Sequence, residues 1–197
     1  MNAHRFLQLV TKPHRFGVLL VAGLAFSLAG DCFLMLPGFF IPGLVSFLVA
    51  HLFYIALFKQ GVGWFPSGRA LAITLGFGGA MYAFLYNGLN PVLKIAVAAY
   101  VVVIALMAAQ AIGRAVLVRD KSAVAVAIGA AFFMLSDSML ATNKFAFEFP
   151  MAQFWVLATY YVAQALIACN AAPVIAGLTR NPVNVSIARL DPGSSPG

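Results

Sequence analysis

Residues 16–36 read FGVLLVAGLAFSLAGDCFLML, and Asp31 is the one charged side chain among them. A helix needs about 20 predominantly apolar residues to cross the hydrocarbon core of a bilayer, so this stretch reads as a membrane span. A carboxylate within a span costs about 2.5–3.5 kcal/mol on insertion scales and marks a functional candidate by default.

Working outward, five further stretches of the same kind follow, at 39–59, 69–86, 91–112, 121–141 and 150–172. Prolines punctuate them. Pro37 and Pro42 fall at the start of the second stretch and Pro66 precedes the third, while Pro91 and Pro150 suit the first turns of the fourth and sixth. Gly76, Gly78 and Gly79 in the third stretch are expected to permit close approach between helices. With 63% hydrophobic and 9% charged residues, the chain lies far from the roughly 25% charged content of soluble domains. The fold class expected is all-α, a polytopic transmembrane helical bundle of six spans. Its parts are a basic start at 1–15, a membrane domain at 16–176 and a polar tail at 177–197, rich in Pro, Gly and Ser and expected to be disordered. The basic start resembles a signal peptide, but no small-residue cleavage pattern follows its long apolar run, so a retained helix is expected.

Six spans place Arg5, Lys12, Arg15, Lys59, Arg69, Arg114, Arg119, Lys121, Arg180 and Arg189 at one face and leave Lys94 and Lys144 at the other. Basic residues near helix ends are retained on the cytoplasmic side, so both termini are expected in the cytoplasm, with the chain integral to a bacterial inner membrane. A net charge of +7 therefore reads as topology and contact with anionic lipids rather than nucleic-acid binding, which requires a basic face on a soluble surface. Cys32 and Cys169 both sit in apolar stretches and are expected to be free thiols.

Asp137 repeats the anomaly of Asp31 in the fifth span. At about 1.5 Å per residue both carboxylates lie some 20 Å or more from the basic face, at similar depth, and His51 on the second span comes near the midplane. Small or polar neighbours surround them: Ser27 and Gly30 beside Asp31, Ser136 and Ser138 flanking Asp137, Tyr54 three residues after His51, and Tyr160, Tyr161 and Gln164 on the sixth span. Isolated serines of this kind are ordinarily interhelical or back-bonded hydroxyls, Tyr82 and Tyr86 suit an interfacial belt, and Tyr100 reads as packing. The two acids differ, because no Lys or Arg lies at their depth to neutralise them.

Two carboxyls sharing a dry site disfavour double ionisation, so one is expected to hold a proton and act as general acid while its partner acts as base or electrostatic stabiliser. No nucleophile motif competes: Gly-x-Ser-x-Gly and His-Glu-x-x-His are absent.

Four segments together, Phe26-Ser-Leu-Ala-Gly-Asp31, Gly43-Leu-Val-Ser-Phe-Leu-Val-Ala-His51-Leu-Phe-Tyr54, Gly129-Ala-Ala-Phe-Phe-Met-Leu-Ser-Asp-Ser138 and Tyr160-Tyr-Val-Ala-Gln164, resemble the YhhN family of membrane lysoplasmalogenases. The resemblance runs from about residue 16 to residue 170. It implies hydrolysis of the vinyl ether bond of a lysoplasmalogen to a fatty aldehyde and glycerophosphoethanolamine or glycerophosphocholine, with Asp31 and Asp137 at the family's essential acidic positions. His51, Tyr54, Ser136, Ser138, Tyr160, Tyr161 and Gln164 are expected to orient water or substrate. Members of that family typically carry about eight spans, so the resemblance implies one or two helices ahead of the Gly-Asp helix that this chain lacks.

A vinyl ether is cleaved by protonating its β-carbon and capturing the resulting oxocarbenium ion with water, which suits paired aspartates and needs no nucleophilic side chain. The expected partners are a lysophospholipid substrate and membrane lipids; no cofactor and no metal is expected. One rival is a metal-dependent lipid hydrolase with Asp31, His51 and Asp137 on a divalent ion, for which a second His and close ligand spacing are missing. Another is a proton-coupled transporter, for which no relation between the two halves is seen.

Overall fold

The computed structural model describes residues 13–171. Residues 1–12 and 172–197, which hold most of the basic start and all of the polar tail, lie outside the described residues. Six helices account for most of the rest: α1 (Pro13–Leu34), α2 (Phe40–Phe58), α3 (Gly68–Leu85), α4 (Pro91–Val118), α5 (Lys121–Phe145) and α6 (Ala152–Ala171), with a single 3₁₀ turn, Tyr86–Gly88, after α3. All six are long and apolar enough to cross a membrane. The protein is an integral membrane protein, as a backbone with no water to bond to requires its polar groups to be satisfied within each helix.

Three helix starts are capped where the sequence offers an acceptor. Ser67 accepts from the Ala70 amide, Asn90 from the Leu93 amide with Pro91 following, and Asp120 from the Ala123 amide. Arg119, in the left-handed region at φ 59°, closes α4 and leaves a two-residue link to α5. Helices α4 and α5 run past the expected ends at 112 and 141, to Val118 and Phe145, because the length needed to cross hydrocarbon sets a minimum for a helix and not its stop. Arg114 lies buried within α4, where its Nη1 donates to the carbonyls of Phe58 (3.2 Å) and Gln60 (2.5 Å). One turn earlier, Gln110 donates to the Gly63 carbonyl and accepts from the Phe65 amide, both at 2.8 Å. These two side chains pin the α2–α3 loop to α4.

Helices α1, α2, α4, α5 and α6 form a closed ring in that spatial order, and α3 packs outside it against α4. Close packing of α1 on α2 depends on glycine. A Cβ at Gly30 would stand 2.6 Å from the Phe47 ring, one at Gly23 2.5 Å from the Tyr54 ring, and one at Gly43 2.8 Å from Leu34. The expectation for α3 needs correction: only Gly78 meets a neighbour, Val101 of α4, while Gly76 and Gly79 face open space. Apolar side chains such as Val21, Leu28, Ile73 and Ile95 cover the outside of the bundle, as a lipid-facing surface demands. Cys32 and Cys169 are free and exposed there.

Candidate active site

The centre of the ring is filled by aromatic side chains from every helix in it except α1. Phe133 of α5 takes the middle, edge-on to His51 at 4.8 Å, Tyr160 at 5.4 Å and Phe47 at 6.1 Å, and His51 also meets Tyr100 at 5.4 Å. Such edge-to-face pairs fix the rings relative to one another. The two carboxyls flank this cluster, and each accepts a hydrogen bond from a phenol on the neighbouring helix.

On one flank, Tyr160 Oη of α6 donates to Asp31 Oδ2 of α1 at 2.8 Å. A chain of donors stands behind it: Tyr54 Oη of α2 donates to Gln164 Oε1 at 2.8 Å, and Gln164 Nε2 donates to Tyr160 Oη at 3.1 Å. Tyr160 and Gln164 share a face of α6 because they are four residues apart. On the other flank, Tyr100 Oη of α4 donates to Asp137 Oδ2. Between the flanks, His51 is fully buried, and neither of its ring nitrogens has a hydrogen-bond partner among the described residues.

Asp137 opens into an apolar pocket with walls from α1 to α5. Its polar lining is Tyr100, Asp137 and Ser138; the rest is hydrocarbon such as Leu44, Phe77, Met81, Val97 and Ile104. Asp31 lies outside that lining. A predominantly apolar pocket with a few convergent polar groups is the usual form of a small-molecule site.

The model of the YhhN family matches residues 3–171. The chain belongs to the YhhN family. Its relatives include the human lysoplasmalogenase TMEM86A, 34% identical over 163 residues that span 80% of this chain and 67% of the relative. The bovine lysoplasmalogenase TMEM86A is 34% identical over 86% of this chain and 70% of its own length, and the human lysoplasmalogenase TMEM86B is 34% identical over 84% and 69%. No solved structure matches the chain.

In this YhhN chain the residues singled out from sequence divide by position. Asp31, Tyr160, Gln164 and Tyr54 form one connected network, Asp137 belongs to a second, and His51 lies between them. Ser136 is occupied in tying α5 to α6 by donating to the Val156 carbonyl at 2.8 Å. Ser138 lines the pocket while its hydroxyl donates to the Met134 carbonyl one turn back. Tyr161 is not brought to the cluster; it is 62% exposed on the outer face. Tyr100, read from sequence as packing, is the donor to Asp137, and its position nine residues into α4 at the depth of an acid on the antiparallel neighbour was the available signal. Among the described residues no three His, Cys, Asp or Glu side chains assemble as metal ligands.

Proposed function

We propose that this chain is a lysoplasmalogenase, hydrolysing the vinyl ether bond of a lysoplasmalogen to a fatty aldehyde and glycerophosphoethanolamine or glycerophosphocholine by aspartate acid–base catalysis. The observation that carries the reading is the placement of Asp137, a carboxyl with a phenol donor, in the wall of an apolar pocket in a chain about one-third identical to lysoplasmalogenases. The vinyl ether bond lies in that pocket, against Asp137. Asp137 in its protonated form delivers its proton to the β-carbon, the double bond shifts toward the ether oxygen, and an oxocarbenium ion forms. Water adds to the α-carbon and returns a proton to the carboxylate. The hemiacetal then collapses, releasing aldehyde as the proton moves to the departing glycerol oxygen. Asp31 supplies negative charge that favours the cation, and Tyr160, Gln164 and Tyr54 hold it in place. His51 orients water from the middle of the cluster.

The ten-to-two distribution of basic residues supports cytoplasmic termini, an orientation that puts the acids in the half of the bilayer away from the cytoplasm. The direct test is aldehyde release from lysoplasmalogen by detergent-purified protein. Turnover that persists in both Asp31→Asn and Asp137→Asn defeats the mechanism. Faster cleavage of an ester lysophospholipid redirects the activity to a lysophospholipase.

A further inference from the structure

The pocket that exposes Asp137 extends to the end of the bundle away from the basic loops, where Leu34, Phe40, Leu85 and Phe145 line it. Lys144 and Lys94, the two cations that depart from the ten-to-two distribution of charge, both stand there. Lys144 belongs to the last turn of α5, with Nζ 4.7 Å from the centroid of Phe40. Lys94, in the first turn of α4, has Nζ 3.8 Å from the centroid of Tyr86 and precedes the pocket residue Val97 by three positions. The topology rule gathers cations at the opposite face and gives no reason for these two.

Lys144 follows Asp137 by seven residues. Two helical turns bring both side chains out on one face of α5, about 10 Å apart along its axis, with the pocket residues Ser138, Leu140 and Ala141 in the interval. A lysophospholipid whose cleavable bond lies at Asp137 carries its phosphate one glycerol unit toward the interface, in the direction of Lys144. Resting on the activity proposed above, we propose that Lys144, supported by Lys94, is the phosphate-binding subsite for the head group. The ammonium is a point charge suited to phosphate, and its contact with the ring of Phe40, itself a pocket residue, keeps it beside the pocket. Such a site reads the phosphodiester shared by ethanolamine and choline lipids and leaves the amine unread.

The test uses uncleavable saturated ethers: 1-O-alkyl-glycerophosphoethanolamine and 1-O-alkylglycerol of the same chain length, in equilibrium binding to purified wild type, K144Q, K144R and K94Q. Wild type is expected to bind the phosphorylated lipid about tenfold more tightly than the alkylglycerol, and rising salt should erode that preference alone. K144Q is expected to lose most of the preference with alkylglycerol affinity unchanged, K144R to retain it, and K94Q to show a smaller loss. Equal losses for both lipids, or no loss in K144Q, overturn the subsite, as does a salt-insensitive preference in the wild type. Because neither ether can be cleaved, these outcomes stand apart from turnover. A protein that shows the preference yet releases no aldehyde from the alkenyl lipid rejects the activity and leaves the phosphate site in place.

Discussion

Tyr100 and Tyr160 each give a hydroxyl to one carboxyl, and a hydrogen bond to an ionised group contributes about 1.5–3 kcal/mol. Tyr100→Phe is therefore expected to lower kcat for lysoplasmalogen hydrolysis about 10- to 100-fold while leaving KM within about threefold, because the phenol touches the acid. Asp137→Asn removes the proposed proton donor and is expected to cost at least about 100-fold. Steady-state aldehyde release measures both, and a Tyr100→Phe enzyme at wild-type rate would show that the phenol only packs. The acids were legible in the sequence because a carboxylate amid hydrocarbon has no cheap explanation. Two of the phenols were not: Tyr100 and Tyr161 each follow apolar or aromatic neighbours, and nothing in an all-apolar helix fixes which face turns inward. The structure buries Tyr100 against Asp137 and leaves Tyr161 facing outward.

At the scale of elements, the position of Asp31 depends on how closely α1 lies on α2. Gly30 is the neighbour of Asp31 and lies flat on the Phe47 ring, which itself touches Phe133 and Tyr160. Gly30→Leu forces that ring outward; overpacking of this kind costs about 1–3 kcal/mol, and the displacement passes to both flanks of the site. The expected result is a lower melting temperature together with loss of most activity. Gly76→Leu on α3 is the matched control, since open space surrounds its Cβ position; an equal effect at both positions would remove the packing explanation. A second element-level device is the clamp on the α2–α3 loop. Arg114→Ala strips two carbonyls of their donor and is expected to destabilise the bundle by about 1–3 kcal/mol, read as a fall in melting temperature, while folded enzyme keeps its kcat because the clamp lies at the far end from the acids. Here the sequence misled through a sound rule. A charged residue near the end of an apolar run ordinarily marks the membrane surface, and Arg114 obeys the topology count while bonding inside the bundle.

For the whole molecule, the six-span reading rested on length, proline positions and the lopsided charge, and all three are local properties of sequence. The ring order, with α3 outside it, was beyond their reach, because it depends on which apolar faces meet. Charge and site placement together yield a statement about sidedness. The ends of α2, α4 and α6 and the starts of α1, α3 and α5 form one end of the bundle, and Lys59, Arg69, Arg119 and Lys121 cluster there. If that end faces the cytoplasm, Asp31, Asp137 and Lys144 occupy the opposite half of the membrane, and the lysolipid is drawn from the opposite leaflet. A background of C32S and C169S removes the two native thiols. In that background Glu148→Cys is expected to react with a membrane-impermeant maleimide in intact cells, whereas Gln60→Cys reacts only after permeabilisation. Reversed labelling would put the basic loops outside, against the charge rule, and would move the substrate to the cytoplasmic leaflet with the chemistry of the pocket unchanged.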